Sequence, residues 1–312
     1  MHSPVFRKMV LIGLGLIGSS LSHAARRNGL VEKIVGTAPS GSTRSKALEL
    51  GLVDEIFEDP AEAVIDAEFV VLCMPVGASG RVAEQISGNL SPGTIVTDVG
   101  SVKSEVLNMV APHIPEGVSF VPGHPIAGTE ESGPEAGFAE LFEGRWCILT
   151  PNQQTDPVSV DKVKSFWEAC GSSVDIMTAN HHDMVLAITS HLPHLIAYNI
   201  VGTASDLEEV TRSEVIKYSA SGFRDFTRLA ASDPTMWRDV FLNNKDAVLE
   251  MLGRFSEDLA SLQRAIRWSD GDTLYDMFSR TRNIRRRIID AGQDISEPDF
   301  GRVVRGPTNS ES

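Results

Sequence analysis

The amino-acid sequence predicts an α/β fold, with a doubly wound parallel sheet at the N-terminal end followed by an all-α helical domain. Three observations carry that prediction. Short β-rich runs alternate with helical stretches from Arg7 to about Met177. A glycine-rich turn, Gly13-Leu14-Gly15-Leu16-Ile17-Gly18, sits where the first strand gives way to the first helix. After about Ala179 the strand-like runs cease, and Val248, Leu252, Phe255, Leu259, Leu262 and Ile266 recur at helical spacing.

The expected strands are Met9 to Leu14, Lys33 to Gly36, Phe69 to Met74, Thr94 to Asp98, Val118 to Val121, Trp146 to Leu149 and Val174 to Met177. Several are continuous apolar runs, as strands are when helices cover both faces of a sheet, and βαβ crossovers produce that cover. Ser91-Pro92-Gly93 punctuates the approach to one strand, and Asp59-Pro60 closes one segment and opens a short helix. In the second half, alternating steps of four and three define a stripe from Val248 to Ile266. Such a stripe has to be buried against another helix, within the domain or across a dimer interface. The organisation expected is a Rossmann-type dinucleotide-binding domain over 1–178, a helical substrate and dimerisation domain over 179–298, and a polar, disordered tail over 299–312.

Composition narrows the function. At 312 residues, with 42% hydrophobic and 22% charged side chains, the chain has room for two ordinary globular domains. Acidic residues outnumber basic ones by 42 to 28, so the overall field repels nucleic-acid phosphates and anionic membrane surfaces, and neither is expected as a partner. An anionic substrate would then need a few local arginines. Cys73, Cys147 and Cys170 show no metal-ligand or redox spacing; no metal is expected, and a reducing, cytoplasmic location is the default. Met1 to Arg7 holds no signal-peptide core, and no apolar run reads as approaching the about 18 residues of a membrane span.

The glycine turn points to a dinucleotide. Gly13 permits the tight turn, Gly15 lets the backbone approach a pyrophosphate, and Gly18 lets helix and strand pack closely. The helix that starts at Leu16 and Ile17 faces the anion with its N-terminus. At the end of the second strand an acidic residue would hold the ribose hydroxyls of NAD. None stands there: the segment runs Gly36-Thr37-Ala38-Pro39-Ser40-Gly41-Ser42-Thr43-Arg44. Hydroxyls at Thr37 and Ser40 and the guanidinium of Arg44 favour NADP slightly over NAD, with use of both open. Arg44 also reads as the start of a solvated helix.

Four polar clusters carry the chemistry. Asp98-Val99-Gly100-Ser101-Val102-Lys103 follows a strand, where open α/β sheets bind ligands, which makes Asp98 a candidate cofactor contact and Ser101 a catalytic candidate. Ser101 equally reads as a plain N-cap. Pro122-Gly123-His124-Pro125, continuing to Thr129-Glu130, holds a histidine on a loop stiffened by proline, suited to presenting a base. His191-Leu192-Pro193-His194 sets two imidazoles on one helix face, without the glutamate or cysteine a zinc site would add. Ser221 to Arg228, followed by Met236-Trp237-Arg238-Asp239, gathers three arginines, with Asp225 three residues before Arg228 and able to orient it. Arg238 and Asp239 read as a surface ion pair.

Taken in order, the glycine turn, D-V-G-S-V-K, G-H-P-I-A-G-T-E, H-L-P-H and G-F-R-D-F-T-R with M-W-R-D resemble the prephenate and arogenate dehydrogenase family over nearly the whole chain. The resemblance implies a hydride transfer to NAD(P) with loss of carbon dioxide from a cyclohexadienol, in tyrosine biosynthesis, and the Val248 to Ile266 stripe adds the expectation of a homodimer joined through the helical domain. The resemblance also implies that His124 is the catalytic base, that Arg228 binds a substrate carboxylate, and that Ser101 lies near the histidine and the nicotinamide. His194 would line the side-chain pocket, with Glu130, Asp225 and Trp237 around its entrance. The missing acid after the second strand is the departure from the family pattern. Two rivals share the scaffold. A non-catalytic dinucleotide-sensing protein has no use for a histidine and an arginine around a small dianion, and a 3-hydroxyacid dehydrogenase would use a helical-domain lysine, for which Lys217 and Lys245 lack a supporting spacing.

Overall fold

The structure, a computed structural model, describes residues 4–211, 217 and 221–290; the tail expected over 299–312 lies outside the described residues. The first half alternates β1 (Phe6–Ile12), α1 (Leu16–Arg27), β2 (Val31–Thr37), α2 (Gly41–Glu49), β3 (Glu55–Phe57), α3 (Pro60–Ala63), β4 (Phe69–Leu72), α4 (Ser79–Ser87), β5 (Ile95–Asp98), α5 (Ser104–Val110) and β6 (Ser119–Val121). These six strands form one parallel sheet in the order β3-β2-β1-β4-β5-β6. That is the doubly wound order, with its switch point between β1 and β4. Met9 and Leu11 pack on one face with Leu21, Phe166 and Trp167, while Val10 and Ile12 pack on the other with Val70, Val82 and Val106. Burial on both faces is why the strands read as unbroken apolar runs.

Two expected strands belong elsewhere. β8 (Trp146–Leu149) and β9 (Ser173–Ile176), linked by α6 (Pro157–Ala169), do not extend the parallel sheet. They join β7 (Gly123–Pro125) in a separate three-stranded sheet, in which β7 runs antiparallel to β8. His124, expected on a loop, is thus a strand residue opposite Ile148. β3 and β7 escaped prediction because each is three residues long, too short to show a period.

The helical part begins with α7 (Ala179–Leu186), a π turn over Ala187–His191, and α8 (Leu192–Thr211). Pro193 falls in the first turn of α8, where its missing N–H is tolerated, and the π turn before it absorbs the irregularity. The stretch Ala179–Asp206 has a mean hydropathy of 1.4 over a membrane-length window, which corrects the expectation that no run approaches a span. Its histidines and Asp183 interrupt the run to the eye, and they place the helix in the site described below. After α9 (Ser221–Thr227) and a tight turn at Arg228–Ala231 comes α10 (Pro234–Asn243), capped by the Asp233 carboxylate on the Met236 N–H.

Trp237 and Val240 of α10 enter the apolar cluster on the β4 side of the sheet. Compactness therefore divides the chain within α11 (Lys245–Arg267): residues up to Met251 form one unit, and those from Leu252, including α12 (Gly271–Asp290), form another. The boundary expected at 178 falls where β9 gives way to α7, at the change from strands to helices. Along the predicted stripe Val248 is buried, whereas Leu259 and Ile266 are 53% and 65% exposed among the described residues.

The glycine turn can be tested directly. A Cβ on Gly18 would stand 2.2 Å from the Gly13 carbonyl oxygen, and Gly13 itself holds φ at +104° against the Cys73 backbone. Gly18→Ala should therefore lower unfolding stability by about 1–3 kcal/mol, seen as a lower urea midpoint; an unchanged midpoint would contradict the packing.

Candidate active site

At the dinucleotide end, Gly15 caps α1 without a side-chain hydrogen bond, and a Cβ placed there would meet nothing within 4 Å. The first-turn N–H groups of Leu16 and Ile17 thus have room before them, while both side chains pack inward on the core. An uncapped helix N-terminus that an anion can approach closely fits a pyrophosphate.

The end of β2 is less open than expected. Thr37 is 2% exposed and its hydroxyl donates inward to the Glu58 carbonyl at 3.3 Å, so it is a structural residue and not a ribose contact. Ser40 caps α2, accepting from Thr43 N, and shares a 2.7 Å hydrogen bond with Ser42. Arg44 is neither free nor merely solvated. Its guanidinium donates to the Ala38 and Pro39 carbonyls at 2.8 and 2.9 Å and pairs with Glu58 at 2.7 Å. Glu58 was missed because it follows a strand, β3, that the sequence did not reveal.

Asp98 also needs correcting. Its carboxylate is buried and accepts from the Lys103 ammonium and from the amides of Gly100 (2.8 Å) and Gly123 (3.2 Å), which leaves it a brace beneath the site and not a cofactor ligand. Lys103 also donates to the Gly123 carbonyl at 2.8 Å. Ser101 lies half-buried in the turn between β5 and α5. The N-cap reading fails for it, because α5 starts at Ser104 with Lys103 in the cap position.

His124 sits on β7 at 7% exposure, and its Nδ1 is 2.8 Å from Nε2 of His182. His182 Nδ1 in turn lies 2.8 Å from Asp183 Oδ1. Burial would raise the Asp183 carboxyl, but hydrogen bonds from His182, Ser104 and the Lys103 amide outweigh it and hold Asp183 below the ordinary carboxylate range. Burial, reinforced by His182, Lys103 and His191, pushes His124 well below 6.5, so its imidazole is neutral near pH 7. Neither His182 nor Asp183 was singled out in the sequence; the available signal was an adjacent His-His-Asp at the start of an apolar helix.

The remaining predicted residues gather beside this chain of hydrogen bonds. His194 stacks on Trp237 with ring centres 3.6 Å apart, and His191 meets the same indole edge-on at 6.0 Å. Asn244 donates to His191 Nδ1 at 3.0 Å and to the Asp183 carbonyl at 2.9 Å. The Ser101 carbonyl lies near the His191 ring, but outside hydrogen-bonding geometry, and the buried Nε2 of His191 and Nε1 of Trp237 have no hydrogen-bond partner among the described residues. Arg228 donates to Glu130 at 3.3 Å, a carboxylate six residues beyond His124, in the role expected of Asp225. Asp225 lies half-buried on α9. Arg238 and Asp239 form the expected ion pair at 2.7 Å, and Asp239 also accepts from the Gly77 amide. Arg228, 104 positions from His124 in the chain, pairs with Glu130 in the segment that follows β7 and lies near His194, while His191, on the same Trp237 cluster, lies near His124.

Comparison with known proteins agrees with this geometry. A family model described as the nucleotide-binding domain of prephenate dehydrogenase matches residues 21–176, and one described as its dimerization domain matches residues 178–280. Cyclohexadienyl dehydrogenase of Zymomonas mobilis is 42% identical over 90% of this chain and 96% of its own length. The solved structure of prephenate dehydrogenase from A. aeolicus in complex with hydroxyphenyl propionate and NAD+ has a TM-score of 0.84 at 35% identity, covering 90% of this chain and 98% of that one. Synechocystis arogenate dehydrogenase has a TM-score of 0.74 at 29% identity, covering 90% and 99%.

The buried histidines make stability depend on pH. Burial pushes His191 from 6.5 down to about 4, and burial likewise lowers His124 and His182. Below pH 6.5 the unfolded chain takes up protons that the folded chain refuses, so stability falls as pH drops from 6.5 towards about 4, by roughly 3 kcal/mol from His191 alone. Thermal unfolding across that range should show the loss, and His191→Gln should flatten it; parallel profiles for the two proteins would refute the assignment.

Proposed function

The chain belongs to the prephenate dehydrogenase family, and from that premise we propose that it oxidatively decarboxylates a cyclohexadienol, prephenate or its amino analogue arogenate, in the making of tyrosine. It is an NAD(P)-dependent oxidoreductase. The observation that supports the substrate assignment is the Trp237 cluster, whose His191 lies near His124 and whose His194 lies near Arg228. A neutral imidazole and a guanidinium at the two ends of one aromatic cluster suit a para-hydroxy ring carboxylate.

In this reading Arg228 holds a substrate carboxylate, and Glu130 keeps the guanidinium oriented. His194 and Trp237 form an aromatic wall along the substrate side chain, with Asp225 at the entrance. Ser101 stands at the end of β5 beside the reacting hydroxyl. Gly13, Gly15 and the first-turn amides of α1 would hold a nicotinamide dinucleotide, which would supply the acceptor for the hydride of the hydroxyl-bearing carbon. His124 takes the hydroxyl proton in the same step, generating a carbonyl para to the ring carboxylate. The bond to that carboxylate then breaks, its electron pair enters the ring, and carbon dioxide leaves. The ring becomes aromatic, and His124 can return its proton to the phenolate oxygen.

For the cofactor, the hydroxyls of Ser40, Ser42 and Thr43 with Arg44 support acceptance of NADP alongside NAD, and the Glu58 pair tempers any preference for the 2′-phosphate. A homodimer through the helical region is supported by the match to a dimerization-domain model and by exposed Leu259, Ile266, Tyr275 and Phe278 along α11 and α12.

His124→Asn should lower turnover by about 10²- to 10⁴-fold while leaving cofactor affinity intact; undiminished turnover would refute the base. Arg228→Ala should raise the substrate KM by about 10- to 100-fold with a smaller change in kcat. Arg44→Ala should lower kcat/KM for NADP but not for NAD, and Glu58→Gln should raise the NADP to NAD ratio by up to about fivefold. Ratios unmoved by either change would remove Arg44 from cofactor selection. Running prephenate and arogenate against both cofactors in the same assays separates the two substrates.

A further inference from the structure

Behind the base runs a chain of hydrogen bonds that the reaction just described leaves unused. The Asp183 carboxylate accepts the backbone amide of Lys103 on Oδ1 and that of Ser104 on Oδ2, each at 2.8 Å, and the His182 ring on Oδ1, also at 2.8 Å. Backbone amides only donate, so this carboxylate is committed to accepting, and His182 Nδ1 must carry a hydrogen. Burial keeps His182 neutral near pH 7, and a neutral ring protonated on Nδ1 has a bare Nε2. The atom facing that bare nitrogen at 2.8 Å, His124 Nδ1, must then be the donor of their shared hydrogen bond.

We propose that His182 and Asp183 are positioning residues that hold His124 in its Nδ1–H tautomer, which makes Nε2 the atom that takes the substrate proton. This deepens the function proposed above and rests on His124 being the base. Among the described residues no other neighbour selects a nitrogen: Lys103 faces His124 from the turn before α5, with Asp98 bound to its ammonium, and His191 faces it from the π turn, and neither is hydrogen-bonded to the ring. When Nε2 takes the proton, the Nδ1–H bond to His182 stays in place and no ring has to flip. The imidazolium then faces the Asp183 anion across one neutral ring, and the proton remains on His124 until the phenolate takes it back.

Histidine ¹⁵N chemical shifts of the whole enzyme at neutral pH read the tautomer directly. His124 in the native protein should show a protonated Nδ1 and a bare Nε2. In Asp183→Asn the amide can donate to His182 Nδ1 and reverse the polarity of the chain. His124 should then be protonated on Nε2, and kcat should fall by about 100-fold or more with substrate KM and cofactor Kd within about threefold. His182→Gln, which keeps an acceptor for His124 Nδ1, should retain at least about tenfold more turnover than His182→Leu. A native spectrum with the hydrogen on Nε2 overturns the proposal. So does an equal loss in the Gln and Leu variants with an unchanged His124 tautomer, since that is the signature of a merely structural role. If His124→Asn stayed active, the base assignment would fail, and the shifts would still report on the tautomer.

Discussion

The ammonium of Lys103, fully buried, is tied to the Asp98 carboxylate of the parallel sheet and to the Gly123 carbonyl of the second sheet, while its own backbone amide donates to Asp183 at the start of α7. Three layers of the molecule meet on this one residue. An isolated ammonium in such a place would cost several kcal/mol, and burial does drive it towards the neutral form, with Asp98 opposing. Pairs of this kind add little net stability compared with a well-packed apolar pair. Their effect is on register. Gly123 adjoins His124, so the contact that satisfies the ammonium also fixes the strand that presents the base.

The two guanidinium groups proposed to meet anions are each paired with a carboxylate, Arg44 with Glu58 and Arg228 with Glu130. In a chain with a formal net charge of −14 this arrangement is economical. Partly exposed pairs are weak, so an arriving anion can share the guanidinium at small cost, and the side chain is already oriented when it arrives. The pyrophosphate end works differently. There the groups proposed to bind are backbone amides at the start of α1, where Gly15 leaves open space, while Gly13 and Gly18 are glycine because the turn packs against its own backbone and that of Cys73.

The long apolar helix through α7, the π turn and α8 serves two purposes at once. Its polar residues, His182, Asp183, His191 and His194, are turned to the site, where each finds a ring or a hydrogen bond. Met184, Ile188, Ile200 and Val201 remain exposed on its other side. Hydropathy alone assigns such a segment to a membrane, but the histidine network assigns it to the site.

Periodicity and local chemistry were enough to read the doubly wound sheet, the glycine turn and the helical second half, and the family resemblance singled out His124, Arg228, His194 and Trp237 as candidates. These depend on residues near one another in the chain or on patterns that repeat. Partners contributed from distant elements stayed hidden: Glu58 for Arg44, Glu130 for Arg228, and His182 with Asp183 for His124. The strand status of β7 stayed hidden as well, since three residues carry no period and only pairing with β8 defines them. The sequence by itself determined which side chains are available and which secondary structure carries them. Which nitrogen, carboxylate or ammonium meets which was decided by the tertiary structure, because hydrogen bonds of about 3 Å depend on how separate elements pack, and that packing leaves no local trace in the chain.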